Sequence, residues 1–144
     1  MLYALHDGDG RIHQANKLYD ADTERYDNLL NDLGHAYVKA NAPALLPPEH
    51  WMVDVKAKEI CERPVMRATA FAPIIKAGTN ALLLNIPKGA DVTILAVGGA
   101  VIRSILKLDG DELEFPVVSV PCKYTAVISL WPFKDCMIDI EAVA

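Results

Sequence analysis

The second half of the chain consists of short apolar runs that turn-forming residues interrupt at close intervals. From about Met66 to Ala144, runs of five to eight mostly apolar residues recur, and Gly, Pro, Asp or Asn separates them. No helical period appears in this region, and apolar runs of this length are typical of β-strands. This pattern predicts an antiparallel β-structure and leaves little room for helices.

Seven strands are predicted between residues 66 and 144. They are Arg67 to Ile75, Ala81 to Ile86, Asp91 to Val97, Val101 to Leu106, Glu112 to Val117, Lys123 to Trp131 and Cys136 to Val143. In the last strand Cys136, Ile138, Ile140 and Ala142 are expected to face a core, while Asp139 and Glu141 between them face out. Seven short strands at this spacing indicate an immunoglobulin-like β-sandwich.

The first part of the chain, residues 1–65, reads as a small α+β module. Leu2 to His6 and Arg11 to Gln14 are predicted to pair as a hairpin, with Asp7 to Gly10 as the turn. His35 to Lys39 is a further short strand candidate. The domain boundary is therefore placed between residues 65 and 66, with mainly β structure overall.

One helix is predicted in this module. Asp22 or Thr23 is a suitable N-cap, and Gly34 is a suitable stop signal. The apolar residues of the segment follow helical spacing and are expected to form one buried stripe: Tyr26, Leu29, Leu30 and Leu33. The remaining acidic and amide residues, including Asp27 and Asp32, are expected to face water.

A proline-rich segment and a second hairpin complete the module. Asn41 to Glu49, with the sequence NAPALLPPE, suits neither a helix nor a central strand because its prolines lack backbone donors. Trp51 to Val55 and Glu59 to Glu62 are predicted to pair around a turn at Lys56 to Lys58.

Composition and charge narrow the classes of function. The 144 residues carry a formal net charge of −5 and no cluster of Lys or Arg, so nucleic-acid binding is not expected. No apolar run approaches the ~20 residues that span a bilayer, and the N-terminus lacks the pattern of a signal peptide. We expect no membrane segment and synthesis in a cytoplasm.

Three cysteines are present: Cys61, Cys122 and Cys136. Their odd number and wide spacing argue against a disulfide framework, and they are expected to be free thiols. Cys122 and Cys136 open successive predicted strands and would lie at opposite ends of a hairpin. A disulfide between subunits is left open for all three.

The stretch LHDGDGRIH, Leu5 to His13, contains part of a calcium-binding EF-hand loop. In that alignment the first and last ligand positions fall on Leu5 and Asn16, and neither is an acid. A tight hairpin turn is favoured, in which Gly8 and Gly10 are free to adopt positive φ. No metal or cofactor site is predicted, although His6 and His13 lie close enough in the hairpin to be considered.

No nucleophile motif, phosphate-binding loop or zinc spacing occurs in the chain. The sequence therefore predicts no catalytic residues and no enzyme. Three aromatic residues are the candidates for a partner-binding surface: Trp51, Trp131 and Phe133. Packing against the core is the competing interpretation for each of them.

Several segments resemble small structural proteins from the tail gene clusters of tailed bacteriophages and prophages, particularly those of α-proteobacteria. The similar segments are I-x-A-G-T-N-A-L-L-L-N-I-P-K-G-A, L-D-G-D-E-L-E and P-C-K-Y-T-A-V-I-S-L-W-P-F, with M-L-Y-A-L-H-D-G-D-G-R-I, W-M-V-D-V and E-R-P-V-M in the first part. They cover most of the chain but consist of turns and core positions. Cys122 departs from the pattern of these proteins, in which a small residue or glycine often precedes the strand that corresponds to Lys123 to Trp131.

The resemblance implies a non-enzymatic tail accessory or adaptor protein with an immunoglobulin-like domain. Its expected place is the virion tail, at the baseplate, neck or fibre attachment, after assembly in the host bacterial cytoplasm. Its expected partners are other virion proteins and symmetric copies of itself, without a cofactor. Capsid decoration, a head fibre, or a β-sandwich that binds a host glycan through Trp51 or Trp131 are the alternatives.

Overall fold

The computed structural model describes residues 1–41 and 47–144, which form two compact units, Met1–Arg63 and Pro64–Ala144. The structure is mainly β with several antiparallel sheets and one short α-helix, as predicted. Most of the proline-rich segment predicted from Asn41 to Glu49 lies outside the described residues.

Unit 1, Met1–Arg63, is built on a three-stranded antiparallel sheet. Its strands are β1, Leu2–His6, β2, Ile12–Lys17, and β3, Tyr37–Ala40, in the order β2-β1-β3. The predicted first hairpin is present, but its return strand begins at Ile12 and runs three residues beyond the predicted end. A 3₁₀ turn at Asp20–Asp22 leads into helix α1, Thr23–Asp32.

The central strand β1 is buried on both faces, because side chains of alternate residues point to opposite sides of a sheet. Tyr3 and Leu5 pack with Leu30 of the helix on one face. Ala4 packs on the other face with Ile12 and Val53. Val53 belongs to the second hairpin, β4, Trp51–Asp54, and β5, Glu59–Glu62, which forms where it was predicted.

The predicted apolar stripe of α1 is only partly buried. Leu30 is 3% exposed, whereas Leu29 is 50% and Leu33 62% exposed, so the expectation that both are buried is wrong. Leu29 and Leu33 lie on a flank of the helix that the sheet does not cover. Gly34 ends the helix with a φ of 73°, as its position after the last turn predicted.

Unit 2, Pro64–Ala144, contains a five-stranded and a three-stranded sheet. The first has the order β10-β9-β12-β13-β7, and the second has the order β11-β8-β6. Their strands are β6, Thr69–Ala70, β7, Ile74–Lys76, β8, Asn80–Leu84, β9, Asp91–Ala96, β10, Val101–Ile105, β11, Leu113–Pro116, β12, Cys122–Ser129, and β13, Cys136–Val143.

One hydrophobic core joins the two sheets. It contains inward-facing residues of both, such as Leu83 and Phe115 from the smaller sheet and Ile94 and Ile128 from the larger one. In β13, Ile140 and Ala142 are buried while Asp139 and Glu141 are exposed, which confirms the predicted alternation.

The strand predicted from Arg67 to Ile75 is wrong as a single element. Its residues form two strands, β6 and β7, which belong to different sheets. Pro73 lies between them and has no N–H to donate, so a continuous ladder is interrupted there. Its carbonyl instead accepts a hydrogen bond of 2.8 Å from the N–H of Glu141, which leads the chain into the larger sheet.

Candidate interaction surfaces

The loop between β1 and β2 uses its first acid to hold itself together. The Oδ1 atom of Asp7 accepts hydrogen bonds from the N–H groups of Asp9 at 2.9 Å and Arg11 at 3.0 Å. Desolvation is the largest single influence on the pKa of Asp7 and acts to raise it. The backbone donors, together with the positive charge of Arg11, outweigh it and hold the pKa below its usual value. This oxygen of the carboxylate is thus occupied within the turn.

Gly10 closes the same loop in a conformation that suits glycine. Its φ is 87°, and its carbonyl accepts a hydrogen bond of 2.9 Å from the N–H of Val53 in β4. A Cβ on Gly10 would overlap the carbonyl oxygen of Val53. Gly8 has no positive φ and no atom close to a Cβ position, so the expectation of positive φ fails there.

The ionisable side chains in the described parts of the chain, 1–41 and 47–144, include no group of three His, Cys, Asp or Glu close enough to hold a metal ion. His6 is partly exposed, and its Nδ1 lies 2.8 Å from the carbonyl oxygen of Asp7. His13 is exposed on the neighbouring strand. The absence of a cofactor stays a prediction.

A buried tyrosine and an ion pair connect β1, α1 and β3. The hydroxyl of Tyr3 donates a hydrogen bond of 2.6 Å to Oδ1 of Asp27, and the ammonium of Lys39 donates one of 2.7 Å to Oδ2. Lys39, followed by Tyr3, lowers the pKa of Asp27 below its usual value. Burial, reinforced by the carboxylate, raises the pKa of Tyr3. The expectation that Asp27 faces water is therefore wrong.

The three aromatic candidates are divided between the two units. Trp51 is half-buried in unit 1, where it packs against the residues Ala4, Ile12 and Val53. Trp131 and Phe133 belong to unit 2 and are also half-buried; Phe133 packs on the core and lines a shallow depression with Val65 and Pro87. The contacts of Trp51 and Phe133 agree with packing, and a binding role for the three residues stays a prediction.

An apolar groove opens along one side of unit 2, where the edge strand β10 of the larger sheet faces the edge strand β11 of the smaller one. Its volume is about 280 Å³, and its lining includes Ile102, Val118 and Cys122. The guanidinium of Arg103 donates a hydrogen bond of 3.1 Å to the carbonyl of Glu114. We call this feature the edge groove.

Exposed apolar side chains surround the edge groove. Four large ones lie on β10 or in the loops beside it, with 47–67% of their surface exposed: Val97, Val101, Ile102 and Val118. Val120 follows in the loop before β12 and is 62% exposed. Single exposed apolar residues are ordinary, but exposed apolar residues that share a groove beside an edge strand, as Ile102 and Val118 do, are typical of a contact surface.

A second open groove lies on α1 of unit 1, with a volume of about 530 Å³. Leu18, Tyr26 and Leu29 supply its apolar lining. Charged residues line the same groove: Asp22, Arg25 and Asp32. This groove was not predicted, since helical spacing marks Leu29 as apolar without showing how much of the helix the sheet covers.

No protein-family model matches this sequence, and no curated protein matches it.

The cysteines are free thiols, as predicted. Cys122 lies opposite Ala142 and Cys136 lies opposite Ile128, which places the two at opposite ends of the β12–β13 hairpin. Burial raises the pKa of Cys136. Cys122 is partly exposed in the edge groove, so its role between subunits stays a prediction.

Among the described residues, no helix is both long enough and apolar enough to cross a membrane.

Proposed function

We propose that this chain is a non-enzymatic structural component of a tailed bacteriophage virion. It acts at the tail, as a baseplate, neck or fibre-attachment accessory protein, through contacts with neighbouring virion proteins and with copies of itself. The motif resemblance suggests the virion. The edge groove of unit 2 is the observation that carries a role in assembly.

The proposal includes an immunoglobulin-like fold for unit 2, and its strand order supports this. In that fold strands B and E share one sheet, and strands C, F and G share the other. The pair β8 and β11 fits B and E, and the set β9, β12 and β13 fits C, F and G. The segment from Arg67 to Ile75 is divided between the two sheets as β6 and β7, and β7 pairs parallel to β13. This division is compatible with the immunoglobulin strand order.

A hydrogen bond at the start of β12 supports the same assignment. The hydroxyl of Tyr124 accepts a hydrogen bond of 3.0 Å from the N–H of Val118, six residues upstream. Many sandwiches of this type carry a tyrosine near the start of strand F that bonds back to the preceding corner. Two residues later, where antibody domains have a cysteine, this chain has the buried Ala126, so unit 2 relies on apolar packing without that disulfide.

The edge groove fits a role in assembly because an edge strand offers unpaired backbone groups beside apolar side chains. A neighbouring protein can add a strand to β10, and the side chains of the added strand then cover Ile102 and Val118. On a symmetric particle the same weak contact is repeated, and the repetition makes attachment stable.

Mass spectrometry of purified particles, combined with symmetry-resolved imaging, tests this proposal. We expect the chain at a fixed copy number in the tail, with density on the edge groove. Its absence from particles whose genome encodes it would refute the virion role. Its presence on the head would instead favour a capsid decoration or head-fibre protein.

Glycan binding is the alternative from another class. Host polysaccharide binding that disappears in Trp51→Ala or Trp131→Ala, with the fold retained, would replace the assembly proposal. Unchanged binding in both variants would leave these residues as packing residues.

A further inference from the structure

The groove on α1 carries charges that are unusual for an isolated helix. Arg25 lies in the first turn and Asp32 is the last residue, whereas the helix dipole favours acids at the first turn and bases at the last. Neither side chain takes part in an ion pair or hydrogen bond among the residues that the structure describes. Their placement thus opposes the dipole without any compensating partner inside the described part of the chain.

These two charges and Leu29 share one face of the helix, since all three line the same groove. Arg25 and Asp32 are seven residues apart, or about 10.5 Å along the axis. The midpoint between them falls between Asn28 and Leu29. Leu29 is half exposed at the centre of this face, and Leu33 is exposed near its end.

A face with this arrangement is complementary to itself under a two-fold axis. If a second helix lies antiparallel across it, with the axis through the midpoint, Arg25 of each copy meets Asp32 of the other. The same operation brings the two Leu29 side chains together at the centre, within the 8–10 Å that separates packed helices. A parallel pairing would oppose Arg25 to Arg25 and Asp32 to Asp32.

We propose that the α1 face binds a second copy of this chain as an antiparallel helix pair, held by Leu29 and by reciprocal Arg25–Asp32 ion pairs. A single ten-residue helix offers a small area, so the dimer is weak in solution and forms at high protein concentration. This inference concerns unit 1 and does not rest on the proposed virion role. Failure to dimerise in solution would therefore contradict this inference alone, and absence from virions would contradict the proposed function alone.

Sedimentation equilibrium between about 10 μM and about 1 mM, the range in which small interfaces assemble, measures the self-association. We expect a reversible dimer. Asp32→Arg should weaken it about tenfold, since Arg25 then faces a second positive charge on the other copy. The same substitution reduces the net negative charge, so general charge repulsion predicts the opposite effect.

The charge swap is the decisive variant. Arg25→Asp alone should also weaken the dimer, whereas Arg25→Asp combined with Asp32→Arg restores both ion pairs in reversed order and should recover the affinity. Failure of the double variant to recover affinity, with helix content unchanged by circular dichroism, would overturn the proposal.

Leu29→Gln tests the apolar centre, and Leu106→Gln in unit 2 is a matched control because Leu106 is 75% exposed. We expect loss of the dimer only in the first variant. A chain that is monomeric at about 1 mM, or a dimer that Leu29→Gln does not affect, would refute a contact between copies at this face.

Discussion

Among the glycines of unit 1, Gly10 is the one with the least room for a side chain. Its φ is positive, and a Cβ would overlap the carbonyl of Val53, whose N–H is bonded to Gly10 in return. We expect Gly10→Val to destabilise unit 1 by more than ~2 kcal/mol, because strain and a steric clash act together. Thermal unfolding followed by circular dichroism measures this.

Gly8 provides the control in the same loop. Nothing lies within 4 Å of its Cβ position, and its φ is not positive. Gly8→Ala should therefore change stability by less than about 0.5 kcal/mol. Equal losses in both variants would mean that the loop tolerates no side chain for some other reason.

Calcium should leave the melting temperature unchanged. The Oδ1 atom of Asp7 already accepts two backbone hydrogen bonds, and the residues at both ends of the EF-hand alignment are not acids. Melting curves with calcium chloride and with a chelator should superimpose. A rise in melting temperature that saturates with calcium would contradict this.

The Tyr3–Asp27–Lys39 contact makes part of the stability of unit 1 dependent on pH. The folded state lowers the pKa of Asp27 below the 3.8 of a free carboxyl, so the contribution is complete above that value and disappears as pH falls through the folded pKa. Asp27→Asn should lower the melting temperature by the same amount at pH 6 and pH 8. Below about pH 4 the difference should shrink.

Asn can still accept a hydrogen bond from the Tyr3 hydroxyl through its Oδ1 atom, so the effect of Asp27→Asn comes from removing the carboxylate's charge. Exposed ion pairs contribute little, so most of the loss should come from weakening the charge-assisted bond to Tyr3. Lys39→Gln, which removes the ammonium alone, should have the smaller effect. A larger effect for Lys39→Gln would show that the ion pair dominates.

Sequence patterns indicate the surroundings of some residues in unit 1 but not of others. Once Leu2 to His6 is assigned as a strand, the strand period places Tyr3 and Leu5 on one face and Ala4 on the other, because backbone geometry fixes that period. The partner of the Tyr3 hydroxyl was missed, since the angle between a helix and a sheet decides whether Asp27 points to water or to β1. Acids that lie outside the apolar stripe of a helix usually face water, so the sequence contained no indication that Asp27 contacts Tyr3.

At the scale of single elements, β12 depends on its contact with the preceding loop. Tyr124→Phe removes the hydroxyl that accepts the N–H of Val118, and it should destabilise unit 2 by about 1–2 kcal/mol. Tyr19→Phe is the matched control, because Tyr19 is 85% exposed and should show no loss. Chemical denaturation of both variants measures the difference.

Element predictions succeeded where apolar runs had clear ends. The β4–β5 and β12–β13 hairpins formed within about two residues of their predicted bounds. The β12–β13 turn contains Pro132 and Asp135, whereas the Lys56 to Lys58 turn has no Gly or Pro and is marked only by the apolar runs on either side. The continuous strand at Arg67 to Ile75 was wrong because a run of apolar residues does not reveal a change of sheet. Pro73 was the only local signal for that change.

Considered as a whole molecule, the chain contains separate hydrophobic cores. One core lies within residues 64–144, and the two clusters around β1 lie within residues 1–63. We therefore expect residues 64–144 to fold when expressed alone, with amide NMR signals that match those of the full chain. A fragment without dispersed signals would mean that unit 2 needs unit 1.

The burial of β1 on both faces has a consequence for synthesis on the ribosome. The strand emerges before the helix and the hairpin that cover it, and the hairpin is complete only at Glu62. Tyr3 and Leu5 have no apolar helix surface to pack against until Leu30 has emerged, and Ala4 waits longer, until Val53 of the hairpin follows. Apolar segments exposed in this way are where nascent chains aggregate. Translation speed across residues 7–62 should therefore govern the yield of soluble protein.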